Sequence, residues 1–488
     1  MMDFSGIRVH IIGLGGLGTG QACARALLSH GASVEISDCK SKKDLAGQLA
    51  ALQMLPITFH LGNKAYSDID RANLVIPSPG VPFDLPALQQ ARAGGALVVS
   101  EIEVAYWLAP CPIIAVTGTK GKTTTATLIG KLLEAEGHSV LLGGNIGTPL
   151  IQQVQLADSK HVLVAEVSSF QLEGVRDFRP HIAVFLNFFA DHLDRHPSLN
   201  AYWQAKLKIF SSQRSEDYAI LNFDDPALKN LADRLKAHII SFGINEPTQA
   251  RCRDGFLYIN DEKICARDKI RLRGRHNLYN VLAALAAAQA AGASLKKAEE
   301  VLSNFKGVAN RLEEVAVIDD VTFINDSQAT IPQAAEVALE AMEAPVILIA
   351  GGRPKVADFS SFARAICKHA KALILMGEAA KSIAAAAKQA GFNAIHFAAS
   401  LPEAVRSAKA LAEPGEIVLL SPACASFDMF KDMSQRGEVF RQAVLDLAKK
   451  SEAPRKPALS AGARKPAKTA ANTGGLKNRK TREATKPR

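Results

Sequence analysis

Lys122 lies between a glycine and two threonines in AVTGTKGKTTTATLIG, residues 115–130. An apolar strand-like run precedes it and a helix-forming run follows. A glycine turn at such a junction exposes backbone N–H groups, and the helix N-terminus adds the positive end of its dipole. The lysine contributes a point charge, and the Thr123 hydroxyl is an oxygen ligand suited to Mg²⁺. The pattern predicts an ATP phosphate site over Gly118, Thr119, Lys120, Gly121, Lys122, Thr123 and Thr124. The loop is a short form, because the position five before Gly121 is Val116 and not glycine.

Other chemistry-bearing residues fall at strand ends. Glu166 closes VLVAE, and DHLDRH (191–196) follows IAVFLNFFA. Ligands of open α/β sheets bind outside the carboxyl ends of the strands, so Lys122, Glu166 and His192 are expected in one cleft. Glu166 and His192 suit a divalent ion bridging phosphates. Taken alone, DHLDRH reads more naturally as a solvated loop; its position in a nucleotide domain favours the metal. Lys206, in AKLKIF (205–210), reads on physics alone as an ordinary surface charge. RGRHNLYN (273–280), NRLEE (310–314), INDSQAT (324–330), AGGRPKVADF (350–359) and SPACASFDMFKDMSQRG (421–437) each begin at or beside an element end. The Gly- and Ser-rich loops suit anions, and Lys355 offers a positive charge. Cys424 reads as a small buried residue, since no Cys-His pairing is visible.

A second glycine loop, GLGGLG at Gly13–Gly18, follows a strand and precedes QACARALLSHG, with Asp38 closing the next strand. This satisfies the dinucleotide fingerprint. A nicotinamide dehydrogenase is a fair reading of this block alone. A tight turn or another diphosphate is the alternative, and nothing downstream resembles a hydride-transfer site.

These residues need scaffolding. A chain of 488 residues suggests about three domains. Short β-branched runs at 7–12, 33–37, 73–76 and 96–100 alternate with helices or turns, as in a parallel sheet. A Pro-Cys-Pro break at 110–112 ends this block. IIAVTG, VLVAEV, IAVFLN and YAILN make a second, closing near NVLAALAAAQAAG (280–292). VTFIN, VILIAGG, ALILMG, NAIHF and EIVLLSPA make a third. The expected domains are 1–111, 112–309 and 310–450.

Hydrophobic residues are 48% and charged ones 22%, a globular composition. No apolar run reaches the roughly 18–20 residues of a membrane helix, and the N-terminus lacks a signal peptide's cationic start. Seven scattered cysteines without a CxxC pair fit reduced thiols, so a cytoplasmic protein is expected. The net charge of +10 resides in the tail: residues 451–488 hold 11 Lys or Arg and 2 Glu, leaving +1 for the rest. That segment has no periodic apolar face and is expected to be disordered. It suits an acidic partner, although a merely solubilising role is the plainer reading.

GTKGKTT, EVSSFQLE, DHLDRH, HNLYN, NDSQAT and SPACASFDMFK–QRG stand in the order found in the Mur ligases, and the chain resembles that family from residue 1 to about 448. These are ATP-dependent amide-bond-forming enzymes of bacterial peptidoglycan synthesis. SPACASFDMFK is the most discriminating stretch, being similar to the branch that adds D-glutamate. The resemblance implies an N-terminal Rossmann-like domain for a UDP substrate, a central P-loop ATPase-like domain and a C-terminal Rossmann-like domain. The implied substrates are UDP-N-acetylmuramoyl-L-alanine, D-glutamate and ATP, with Mg²⁺, acted on by a monomer.

The same resemblance implies roles. Gly15, Gly18, Asp38, Ser78, Pro79 and Gly80 hold the UDP end, while Asn145 and His192 help seat the muramoyl group. Thr123, Glu166 and His192 bind the metal, and Lys206 matches the family's carbamylated lysine, an anionic metal ligand. Lys122, His192 and Lys206 form the catalytic set. Asn277, Asn280, Arg311 and Asp326 match nucleotide contacts; Thr330, Lys355 and Ser426 match the amino-acid site. Gln328, where the family usually has lysine, and Met433 keep a ligase for another amino acid, such as L-glutamate, as an alternative. A non-catalytic nucleotide-binding scaffold is the other class, and the intact Lys122, Glu166 and His192 set argues against it.

Overall fold

The structure is a computed structural model describing residues 3–452 other than 15–17, 192–194, 273, 343 and 355–357. The basic tail and its expected disorder therefore lie outside the described residues.

Each block is built on its own sheet. The first holds β1 (Arg8–Ile12), β2 (Ser33–Asp38), β3 (Ile57–Leu61), β4 (Leu74–Pro77) and β5 (Leu97–Val98) in the order β3-β2-β1-β4-β5, all parallel. Sequence periodicity passed over β3, ITFHL, a half-buried edge strand with no continuous apolar run.

The middle sheet comprises β6 (Ile113–Thr117), β7 (Ser139–Gly144), β8 (His161–Glu166), β9 (Ile182–Phe185), β10 (Tyr218–Asn222), β11 (His238–Gly243), β12 (Ala250–Arg253), β13 (Phe256–Ile259) and β14 (Glu262–Ala266). Their order is β14-β13-β12-β11-β10-β9-β6-β8-β7. β6 is buried along its whole length, as a central parallel strand covered on both faces must be. The final three strands are an antiparallel extension that the sequence reading did not anticipate. Its tight turns fall at Asp254-Gly255 and Asn260-Asp261, all four with positive φ.

The third sheet comprises β15 (Glu313–Ile318), β16 (Val321–Asn325), β17 (Val346–Gly351), β18 (Ala370–Met376), β19 (Ile395–Phe397) and β20 (Ile417–Leu420) in the order β15-β16-β20-β17-β18-β19. β15 is an unforeseen antiparallel edge. β20 inserts between β16 and β17, which gathers the INDSQAT, GGRP and SPACAS loops at one end of the sheet.

The helix Glu101–Leu108 welds the first block to the second. Glu103 accepts the N–H groups of Arg176 (2.8 Å), Asp177 (2.7 Å) and Phe178 (3.1 Å). Glu101 accepts that of Ile151 at 2.7 Å, at the start of another helix. One continuous apolar core spans both blocks, from Leu27 and Ile36 through Val104 to Leu150 and Phe178.

Candidate active site

The phosphate loop leaves β6 and enters the helix Lys122–Ala135 through Gly121, whose φ is +85°. A Cβ there would lie 2.2 Å from Asn280 Oδ1, so only glycine allows the close approach of that asparagine. Lys122 Nζ donates to the carbonyls of Gly118 (2.9 Å) and Thr119 (3.0 Å). Burial above all brings its ammonium down to about 8; Glu166 opposes this, while Arg311 and Lys120 reinforce it.

Lys206 is 1% exposed, so the reading of it as a surface charge is overturned. The loop and the helix Leu199–Leu207 enclose it. Its Nζ donates to Gly118 O (2.8 Å) and Thr117 Oγ1 (3.3 Å) and lies 4.9 Å from the Tyr202 ring centroid. Burial drives its pKa well below the ordinary lysine value, and neighbouring Lys122 adds to the shift.

Glu166, at the tip of β8, accepts from Thr123 Oγ1 at 2.6 Å through one carboxylate oxygen. Asn145 Nδ2 donates to the other at 2.8 Å. Among the described residues no three or more His, Cys, Asp or Glu gather into a metal cage. Thr123 and Glu166 nevertheless offer two hard oxygen ligands beside the loop, which fits Mg²⁺, an ion that takes its other ligands from water and phosphate. His192 lies outside the described residues.

Asn277 and Asn280, one turn apart, are both buried, and Asn280 Nδ2 donates to Asn277 Oδ1 at 3.0 Å. Their helix is Arg275–Ala290, beginning earlier than the alanine-rich run suggested, so HNLYN forms its first turns. Arg311 projects from a turn in which Asn310 and Leu312 have φ of +64° and +45°. Leu is seldom found there, and such strain collects at functional sites. The Arg311 guanidinium is attracted by Glu166 of the middle block and Asp326 of the third, while burial lowers its pKa. Asp326 accepts from Ser421 Oγ (2.8 Å) and Leu312 N–H (3.3 Å), and burial pushes it up to about 7.

In the first block, Asp38 Oδ2 accepts the Leu14 N–H at 3.0 Å, and Ser78 Oγ donates to Gly13 O at 2.7 Å. Gly18 caps the following helix, Thr19–Ser29; Gly15 lies outside the described residues. Asp38, Ser78, Pro79 and Gly80 line a cleft of about 440 Å³ whose far wall is Asn145 and Gln171 of the middle block. Asn145 also donates to Glu166, so the wall of the cleft is hydrogen-bonded to the acid beside the phosphate loop.

In the third block, Arg353 and Ala425 exchange backbone hydrogen bonds at 2.9 Å, joining the GGRP loop to the SPACAS loop. Ser426 is buried in that loop and Thr330 is half-buried in its neighbour; Lys355 lies outside the described residues. Sequence reasoning missed Arg436, which is fully buried and bonds Ser327 Oγ (3.0 Å), Ser327 O (2.8 Å) and Cys424 O (3.1 Å). Its only signal was an arginine at the end of a quoted motif. Burial pushes the Cys424 thiol up to about 12, consistent with an inert residue. Asn187, which binds the phosphate loop from beyond β9, was missed too; its signal was a polar residue ending an apolar strand.

Three α/β blocks, the middle one carrying a lysine-bearing phosphate loop and sharing a cleft with the first, define a multidomain ATP-using enzyme. The chain belongs to the Mur ligase family. It matches the Mur ligase MurD-like N-terminal domain over residues 7–100, the Mur ligase middle domain over 116–288 and the Mur ligase glutamate ligase domain over 310–424. It is 43% identical over 455 residues to the UDP-N-acetylmuramoylalanine--D-glutamate ligase of Pelotomaculum thermopropionicum, covering 92% of this chain and 100% of that protein. The enzyme of the same name from Caldanaerobacter subterraneus subsp. tengcongensis is 40% identical over 450 residues, covering 91% and 100%. Among solved structures, UDP-N-acetylmuramate-alanine ligase MurC from Thermotoga maritima superposes with a TM-score of 0.57 at 21% identity, covering 90% of this chain and all of that one. That likeness is one of fold. The dehydrogenase reading of the first glycine loop gives way to the family match.

Proposed function

We propose that the protein uses ATP to join D-glutamate to UDP-N-acetylmuramoyl-L-alanine, a step of peptidoglycan precursor synthesis. The observation that carries the mechanism is the hydrogen-bonded path from cleft to phosphate loop, Asn145 to Glu166 to Thr123. The choice of substrates rests on full-length relatives of that activity. The L-alanyl carboxylate attacks the γ-phosphorus, giving an acyl phosphate and ADP. The D-glutamate amine then adds to the carbonyl, a tetrahedral intermediate forms, and inorganic phosphate leaves as the amide is made. Phosphorylation is needed because a free carboxylate has no competent leaving group.

In this reading the middle block takes the ATP phosphates on Gly118–Thr124 and Lys122, with Asn277, Asn280, Arg311 and Asp326 on the rest of the nucleotide. Asp38 and Ser78–Gly80 in the cleft, with Gly15 and Gly18 of the first loop, take the UDP end, and Asn145 and His192 seat the muramoyl group. Thr330, Lys355 and Ser426 receive D-glutamate. Lys122 and Arg311 balance charge as it moves onto the γ-phosphate. Thr123, Glu166 and His192 would hold Mg²⁺, which supplies charge neutralisation at the phosphates when bound. The lowered pKa of Lys206 favours the uncharged amine, which adds CO₂ with loss of a proton and becomes an anionic carbamate. A monomer working in the cytoplasm, divided near residues 111 and 309, completes the proposal. Among the described residues no helix is long and apolar enough to cross a membrane. The basic tail is dispensable for ligation in this reading: a solubilising segment first, with an acidic partner as the contact its charge would suit.

Phosphate release with UDP-N-acetylmuramoyl-L-alanine and, in turn, D-glutamate, L-glutamate and D-aspartate tests the reading. Release confined to D-glutamate is expected; preference for L-glutamate would transfer the assignment to the alternative that Gln328 and Met433 keep open.

A further inference from the structure

We propose that Asn187 sets the shape of the phosphate loop, by taking two backbone amides out of the anion cradle and leaving the phosphates to the helix start and Lys122. The residue stands just beyond β9, the strand beside β6. Its carbonyl accepts the Thr119 N–H at 3.0 Å. Its Oδ1 accepts that same N–H at 3.1 Å and the Lys120 N–H at 2.9 Å. Its Nδ2 donates to Lys120 O at 3.1 Å. One side-chain amide thus binds both the donor and the acceptor of a single loop residue. Ionised aspartate lacks the donor, and leucine lacks both groups.

In phosphate-binding loops of full length, successive amides of the turn point at the anion. Here the amides of Thr119 and Lys120 point at Asn187, and the bond is reciprocal. A phosphate oxygen displacing Oδ1 would also strand the Lys120 carbonyl. The amides that remain belong to the helix start from Gly121 onward, which have no intrahelical acceptor. The same clamp fixes the carbonyl of Thr119, which together with that of Gly118 holds Lys122 Nζ. The short loop, with Val116 where a glycine would begin a longer one, thereby acquires a physical reason: its first half is tied to a neighbouring strand and need not wrap the ligand.

This inference rests on the ATP assignment of the loop, and the experiment separates the two. Wild type, Asn187→Ala and Asn187→Asp are compared as full-length chains by steady-state ligation, with ADP binding by calorimetry and Tm as a folding control. In both variants KM for ATP is expected to rise about 10-fold and ADP affinity to weaken in parallel. KM for UDP-N-acetylmuramoyl-L-alanine and for D-glutamate should stay within about 2-fold, since neither substrate meets this half of the loop. The near-isosteric aspartate decides the matter if the alanine variant does not fold. Unchanged KM for ATP in a folded variant, or an equal rise in all three KM values, would overturn the role of Asn187. A wild-type chain that ligates nothing would instead remove the ATP reading.

Discussion

The two glycine loops end on nearly the same helix cap and carry opposite chemistry. Each leaves a strand of a parallel sheet and caps a helix through a left-handed glycine, Gly18 at φ 77°, ψ 12° and Gly121 at φ 85°, ψ −9°. Each also faces an acid at the tip of an adjacent strand, Asp38 or Glu166. Asp38 spends one oxygen on the loop's own amide. Glu166 is turned to the Thr123 hydroxyl and the Asn145 amide. Two lysines, Lys206 buried and Lys122 half-buried, converge on the Gly118 carbonyl, whereas the first loop, GLGGLG, contains none. An acid-lined loop suits the N–H and O–H donors of a nucleoside; a lysine-lined loop suits the phosphates of ATP. Glycine spacing selects the turn, and the charges around it select the ligand.

The largest effect is expected from removing the charge that distinguishes the loops. Lys122→Ala should lower ligation by roughly 10²–10³ or more, as loss of a group that stabilises developing charge does. Because Lys122 titrates near 8, its ammonium is present below that pH and lost above it. Turnover per KM for ATP should therefore fall as the pH climbs past about 8. Robust phosphate release by the alanine variant would break the contrast between the loops.

Lys206→Ala comes next, at roughly 100-fold. Short carboxylates added to the assay should restore part of the rate, because a free anion can stand where the carbamate stood. Restoration by neutral amides to the same degree would argue for filled space over charge.

The contrast also explains what the sequence could reveal. Strand tips and glycine turns were legible because short-range rules govern them: apolar runs, turn residues and residues that follow strands. Glu166 and Asp38 were found this way. Lys206 was not legible from physics, since its burial is created by Tyr202 and by a loop almost 90 residues away in the chain. Arg436 was missed for the same reason, because its partners Ser327 and Cys424 meet only when β20 inserts between two earlier strands. The hairpin β12–β14 was legible in principle from Asp254-Gly255, but its strands are short and half-polar.

Asp38→Asn sharpens the comparison from the other side. Replacing the acceptor-only carboxylate should raise KM for UDP-N-acetylmuramoyl-L-alanine about 10-fold, the scale of one hydrogen bond to a charged group. KM for ATP should not follow. If both rise together, the two loops are not the separate ligand sites that their charges suggest.

The smallest effect concerns the helix that joins the two regions. Glu101 is buried at that joint, with one oxygen on the Ile151 N–H and the other without a hydrogen-bond partner. Burial raises its pKa from 4.5 to about 7. The folded chain therefore binds this proton more tightly than the unfolded one. Its contribution to stability is complete below about pH 4.5 and is lost as the pH rises through about 7. Glu101→Gln keeps an acceptor for Ile151 and removes the titration. Between about pH 5 and pH 8, Tm of the wild type should fall relative to that of the variant by a few degrees, on the order of 1–3 kcal/mol. Glu103 titrates in both proteins and cancels in the difference. Parallel Tm curves would mean that the joint does not sense this proton.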